Sequence, residues 1–133
     1  MWIIYRAHIV LLFLLLLLVD GILAGCGGST EGTAEWHFDQ GQIFTQQGRY
    51  NEAIEEYDEA IRLNPQYAEA YLGRGIAYGN LGKHERAIED YDGAICLNPQ
   101  YADAYYNRGL AFYSLDQYVQ AIHDLNEAVR LNP

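Results

Sequence analysis

Four histidines, two cysteines and 18 carboxylates are the groups of this 133-residue chain that could hold a metal, attack a carbonyl or move a proton. Their spacing does not assemble them. His8, His37, His84 and His123 never stand with another histidine, a cysteine or a carboxylate at metal-ligand spacing. The glycines of YLGRGIAYGNLG lack the order of a phosphate-binding loop. Cys96 falls at the end of an expected helix, where related segments carry Arg62 and Arg130. The carboxylates lie on polar helix faces, where solvation accounts for them. No nucleophile has a base beside it, so the chain reads as no enzyme, with no catalytic residue, metal or cofactor. A net charge of −10 argues against a nucleic-acid partner, because phosphate binding draws on lysine and arginine.

Two constellations remain. Arg74 and Arg108 each precede an acid by sixteen residues, Asp90 and Asp124, and an arginine facing a carboxylate can pair through two parallel hydrogen bonds. The matching slots earlier in the chain hold Gln40 and Glu56, for which a hydrogen bond is expected. These pairs are read as structural. They can form only if each arginine and its acid lie on facing helices of an antiparallel hairpin. The second constellation is Cys26, which follows the apolar run Ile9–Val19 and the small residues Ala24 and Gly25.

The hairpins are announced by a repetition. LNPQYAEAY at 63–71 returns as LNPQYADAY at 97–105, a period of 34 residues, and fixed periods of this size mark repeat architectures. Units 34–67, 68–101 and 102–133 each open on alanine and an acid and each contain Leu-Asn-Pro, ending at Pro65, Pro99 and Pro133. Ala53, Ile54, Tyr57, Ala60 and Ile61 form one apolar helical stripe, repeated by Ala87, Ile88, Tyr91, Ala94 and Ile95 and by Ala121, Ile122, Leu125, Ala128 and Val129. An earlier stripe runs through Gly75, Tyr78 and Leu81 or Gly109, Phe112 and Leu115, and turns fall near Gly48, Gly82 and Asp116. The spacing predicts three helix–turn–helix units.

This pattern resembles the tetratricopeptide repeat. Family glycines fall on Gly41, Gly75 and Gly109, aromatics on Phe44, Tyr78 and Phe112, and second-helix alanines on Ala53, Ala87, Ala121, Ala60, Ala94 and Ala128. The resemblance implies an all-α fold, an α-solenoid of six antiparallel helices whose first helices line a concave groove. In the family, groove slots correspond here to Glu35, Phe38, Asp39 and Gln42, to Glu69, Leu72, Gly73 and Ile76, and to Asp103, Tyr106, Asn107 and Leu110. They make an apolar row (Phe38, Leu72, Tyr106) beside an acidic row (Glu35, Glu69, Asp103), suited to a peptide or helix with apolar anchors and basic residues. The alternative is that Leu72 and Tyr106 only pack between repeats. Members that grip acidic chaperone C-termini use lysine, asparagine and arginine in these slots, whereas no cation stands in them here, so a carboxylate would be repelled.

The front end supplies a location. Arg6, eleven apolar residues and a small-residue segment have the order of a secretory leader. Eleven helical residues span roughly 16 Å, short of a hydrocarbon core of ~30 Å. Leu23-Ala24-Gly25-Cys26 resembles the lipobox of bacterial lipoproteins, which implies a signal peptide over 1–25, acylation of the Cys26 thiol and cleavage before it. An uncleaved anchor is the alternative, opposed by Asp20, whose burial at mid-membrane would cost about 3 kcal/mol. Gly27 in place of the aspartate that retains many lipoproteins at the inner membrane favours the outer membrane or the cell surface. The segment 26–33 then serves as a tether whose residues Gly27–Thr33 reach about 25 Å.

The expectation is a lipid-anchored interaction module of the bacterial envelope that binds a protein partner in its groove. The alternative is self-association, or membership in a longer array, through an uncapped edge formed by Ile122, Leu125 and Val129.

Overall fold

The computed structural model describes residues 31–133, which form six helices and no strand. They are α1 (Ala34–Gln46), α2 (Tyr50–Leu63), α3 (Ala68–Asn80), α4 (His84–Leu97), α5 (Ala102–Ser114) and α6 (Tyr118–Leu131). Consecutive helices pack as hairpins α1–α2, α3–α4 and α5–α6, and each second helix also packs on the next first helix. The leader, Cys26 and most of the tether lie outside the described residues.

Local chemistry sets the start of the first helix and the turns and seams that end the others. Thr33 accepts a hydrogen bond from the Trp36 amide at 3.1 Å and caps α1. Each hairpin turn satisfies its last carbonyls with a double backbone closure: Gly48 N–H to Thr45 O at 3.0 Å and Arg49 N–H to Phe44 O at 2.9 Å in the first. That closure needs a left-handed residue, supplied by Gly48 (φ 73°), Gly82 (φ 72°) and Asp116 (φ 59°). Asp116 offers its Oδ1 to the Tyr118 hydroxyl at 2.6 Å.

The repeated LNPQ is the seam between hairpins. Pro65 forces the residue before it out of helical conformation, and Asn64 stands at φ −135°, ψ 91°. The Asn64 Oδ1 then accepts from the Gln66 amide at 3.1 Å, as Asn98 does from Gln100.

Between helices the contact rests on small residues. Ala53, Ala60, Ala70, Ala77, Ala87, Ala94 and Ala104 are fully buried, and Tyr57 and Tyr91 fill the space that they leave. The Tyr57 ring lies where a Cβ on Gly41 or Gly73 would stand, with ring atoms 2.7 and 2.6 Å from those positions. Tyr91 meets Gly75 in the same way at 2.6 Å.

In the third hairpin the inward slot belongs to Leu125, which lies against Gly109. Leu125 is therefore not part of the apolar edge expected with Ile122 and Val129. The helix turn that points Ile122 (61% exposed) and Val129 (65%) outward carries Leu125 toward α5, and Val119 (80%) joins the edge instead.

The packing predicts opposite outcomes at two glycines of α3. Gly75→Ala would place a carbon 2.6 Å from the Tyr91 ring and 3.2 Å from the Ala87 carbonyl, and a loss of about 1–3 kcal/mol is expected. Gly79→Ala meets nothing closer than the Tyr91 hydroxyl at 3.6 Å, so the gain in helix propensity, up to about 1 kcal/mol, should prevail. Urea denaturation followed by circular dichroism compares the two.

Candidate functional site

The first helices α1, α3 and α5 touch side by side and give the molecule one face without second helices. A cavity of about 480 Å³ opens there between α1 and α3. Phe38, Leu72 and Ile76 supply its apolar wall, Gln42 and Glu69 its polar edge, and Tyr57 and Tyr101 close it. Gly73 also lines it, and its missing side chain is the space taken by the Tyr57 ring. Phe38 is held on both sides, 4.9 Å from the Tyr67 ring and 5.9 Å from that of Tyr57. The Thr45 hydroxyl donates to the Gly41 carbonyl at 2.8 Å, so the Tyr57 hydroxyl, 3.3 Å away, donates to Thr45.

The expected groove residues do not all meet. Phe38, Gln42, Glu69, Leu72 and Ile76 share the cavity, although Leu72 is only 8% exposed and belongs chiefly to the core. Asn107 and Leu110 line a smaller depression further along, which Ile76 also borders. Tyr106, 51% exposed, and Asp103 border a third depression beside Val129. The apolar row is thus a half-buried Phe38, a buried Leu72 and an exposed Tyr106. Glu35 is exposed in the first turn of α1.

Negative charge gathers at the same place. Burial raises the Tyr67 phenol above its usual value, and the charges of Glu69, Glu35 and Asp39 raise it further. Tyr101 is raised by burial and then by Glu69 and Asp103. These tyrosines are the last residue of each LNPQY, and their exact recurrence was the available signal for a shared place beside the groove.

Family models match most of the helical body: a TPR repeat model at residues 41–82 and 80–116, and a tetratricopeptide repeat model at 102–133. The chain belongs to the tetratricopeptide-repeat family. Solved tetratricopeptide-repeat structures agree. The TPR domain of Arabidopsis OM64 is 31% identical, with 80% of this chain and 87% of that one covered and a TM-score of 0.76. The first TPR of Spaghetti (RPAP3), bound to the HSP90 peptide SRMEEVD, is 31% identical over 75% of this chain and 79% of that one, with a TM-score of 0.74. MamA is 30% identical over 75% of this chain and 58% of that one, with a TM-score of 0.72. No curated protein matches the chain. As a tetratricopeptide-repeat fold, the body is a protein-interaction scaffold.

Within this tetratricopeptide-repeat body the arginines are forks. Arg74 donates from Nε and Nη2 to the two Asp90 oxygens at 2.9 and 2.6 Å, and from Nη1 to Asp58 at 2.6 Å. Arg108 does the same with Asp124, at 2.6 and 2.9 Å, and with Asp92 at 2.5 Å. Each fork therefore closes its own hairpin and ties it to the hairpin before. Asp58 and Asp92 lie sixteen residues before their arginines, the same interval counted backward. Burial pushes the Asp90 carboxyl up against the pull of Arg74. In the first repeat, Glu56 is not held by Gln40; the His37 ring meets it at 2.6 Å. His37 occupies the slot of Tyr71 and Tyr105, whose rings lie 5.6 and 5.4 Å from the fork arginines. The tyrosines lie against a guanidinium, whereas the first repeat has Gln40 in the arginine slot and His37 takes the acid itself.

Asp124 is 2% exposed, so Arg108→Ala leaves a buried charge with only the exposed His123 ring beside it at 3.2 Å, and a loss of about 3 kcal/mol is expected. A double-mutant cycle with Asp124→Asn should give a coupling of about 1 kcal/mol or more. The exposed pair Arg62–Glu59, treated identically, should show none that can be measured.

Proposed function

We propose that this chain is a membrane-tethered adaptor that holds a peptide or helix of a protein partner in the concave groove. The observation that carries this reading is the cavity between α1 and α3, with apolar wall and polar edge on the one face free of second helices. Proteins of this family with a similar backbone include the RPAP3 domain bound to a peptide. A tether to the envelope membrane through acylated Cys26 completes the proposal and rests on the leader and lipobox sequence alone.

A second reading, self-association, draws on the exposed stripe Val119, Ile122 and Val129 of α6. One form of it is disfavoured. Stacking α1 of one copy on α6 of another in the repeat register would bring Trp36 and Ile43 to positions that α3 and α5 fill with Ala70, Ala77, Ala104 and Ala111. Those alanines are small because the preceding helix lies against them.

Two measurements bear on the proposal. The intact mass of protein extracted from membranes should equal residues 26–133 plus acyl chains and revert to an unacylated species in Cys26→Ala. An unmodified full-length mass would sink the lipid tether. A photo-crosslinking residue at Gln42 should give one discrete adduct with another protein in cells. Adducts of the chain with itself, formed from Val119 and absent from Gln42, would favour the second reading.

A further inference from the structure

The charges around the groove are of one sign. Arg49, Arg62, Arg74, Arg108 and Arg130 are each held by a carboxylate away from it. Lys83 and Arg86, the other cations among the described residues, lie over the Tyr78 ring. None is left for Glu35, Asp39, Glu69 or Asp103, which make no ion pair among the described residues. Helix dipoles account for Glu35, Glu69 and Asp103, each in the first turn of a first helix. They do not account for Asp39, which lies beyond the first turn of α1. Glu69 and Tyr101 line the cavity together, Glu35 and Asp39 act on Tyr67, and Asp103 acts on Tyr101.

That arrangement inverts the charge that an acidic peptide needs. SRMEEVD, held by the related RPAP3 domain, ends in three acids within its last four residues. A ligand of that type would meet uncompensated carboxylates here. A lysine or arginine would gain both the carboxylates and the face of a tyrosine ring.

We infer that the groove takes a cationic segment of its protein partner: one apolar side chain in the cavity of Phe38, Leu72 and Ile76, flanked by lysine or arginine lying along the Glu35–Glu69–Asp103 rim. Packed helices lie about 10 Å apart, which an extended segment crosses in about three residues, so the flanking cations recur at that interval. This inference rests on the groove reading above and adds the chemistry of the occupant.

The test uses the full chain carrying Cys26→Ala, in mild detergent, with fluorescent peptides of equal length built around a central leucine. Lysine, serine or glutamate occupies the flanking positions. By fluorescence anisotropy the lysine peptide should bind roughly tenfold more tightly than the serine peptide, and the glutamate peptide should not bind. Asp39→Asn with Glu69→Gln, at exposed positions without ion partners, should lower the affinity for the lysine peptide toward that for the serine peptide. Gln42→Trp, which fills the cavity from an exposed position, should abolish binding of both. Equal binding of lysine and serine peptides, lost in Gln42→Trp, would overturn the charge inference and leave the groove standing. Lysine-peptide binding that survives Gln42→Trp, or no binding by any peptide, would overturn both.

Discussion

The ring of Tyr57 can lie flat between α1 and α3 only because neither Gly41 nor Gly73 carries a side chain. This close approach governs the rest of the structure. It sets the separation of the first hairpin and of the seam to the second, and it makes the floor of the cavity, which Tyr57 itself lines. Tyr91 against Gly75 and Leu125 against Gly109 repeat the contact within their own hairpins, the last with a smaller side chain. Fully buried alanines around these wedges let the helix backbones close on them. A groove floor built in this way is rigid, because the wedge is simultaneously the core of a hairpin and the contact between two hairpins.

The arginine forks work on the same two contacts from the polar side. Arg74 and Arg108 each spend one guanidinium on a nearly buried acid of their own hairpin and an exposed acid of the previous one. An isolated ion pair at a surface contributes little. A fork that satisfies a carboxylate at 2% or 6% exposure is different, since its loss would leave Asp90 without a partner and Asp124 with only the exposed His123 ring at 3.2 Å. The forks also decide where charge is left over. With the cations committed elsewhere, a chain of net charge −10 leaves Glu35, Asp39, Glu69 and Asp103 unbalanced on the first helices, where the proposed partner would meet them.

The repeat was legible because its chemistry is local. Leu-Asn-Pro-Gln encodes a helix end, an extended residue before proline and an asparagine-closed turn, and its return after 34 residues sets the hairpin count. Spacing within one unit leads from Arg74 to Asp90. What crosses from one unit to the next was not legible in the same way, because it depends on how hairpins rotate against each other. Asp58 and Asp92 were overlooked for that reason, and Leu72, placed in the groove by its slot, is mostly taken up by the contact between hairpins. Departures from the repeat misled as well. Histidine at 37 diverts Glu56 from Gln40. Leu125, assigned to the uncapped edge, keeps instead the inward slot that Tyr57 and Tyr91 hold in the units before it. Tyr67 and Tyr101 close the repeated LNPQY of the seams, and their place beside the groove appears only when the first helices stand together.

The central claim is that binding occurs on the face of α1, α3 and α5, between an apolar cavity and an acidic rim. Amide chemical-shift mapping of the full chain, titrated with a leucine peptide flanked by lysines, tests it most directly. The account predicts perturbations at Phe38, Gln42, Glu69, Gly73 and Ile76 and at Tyr67 and Tyr101, with α6 unmoved. Perturbations confined to Val119, Ile122 and Val129 on the outer face of α6 would contradict it.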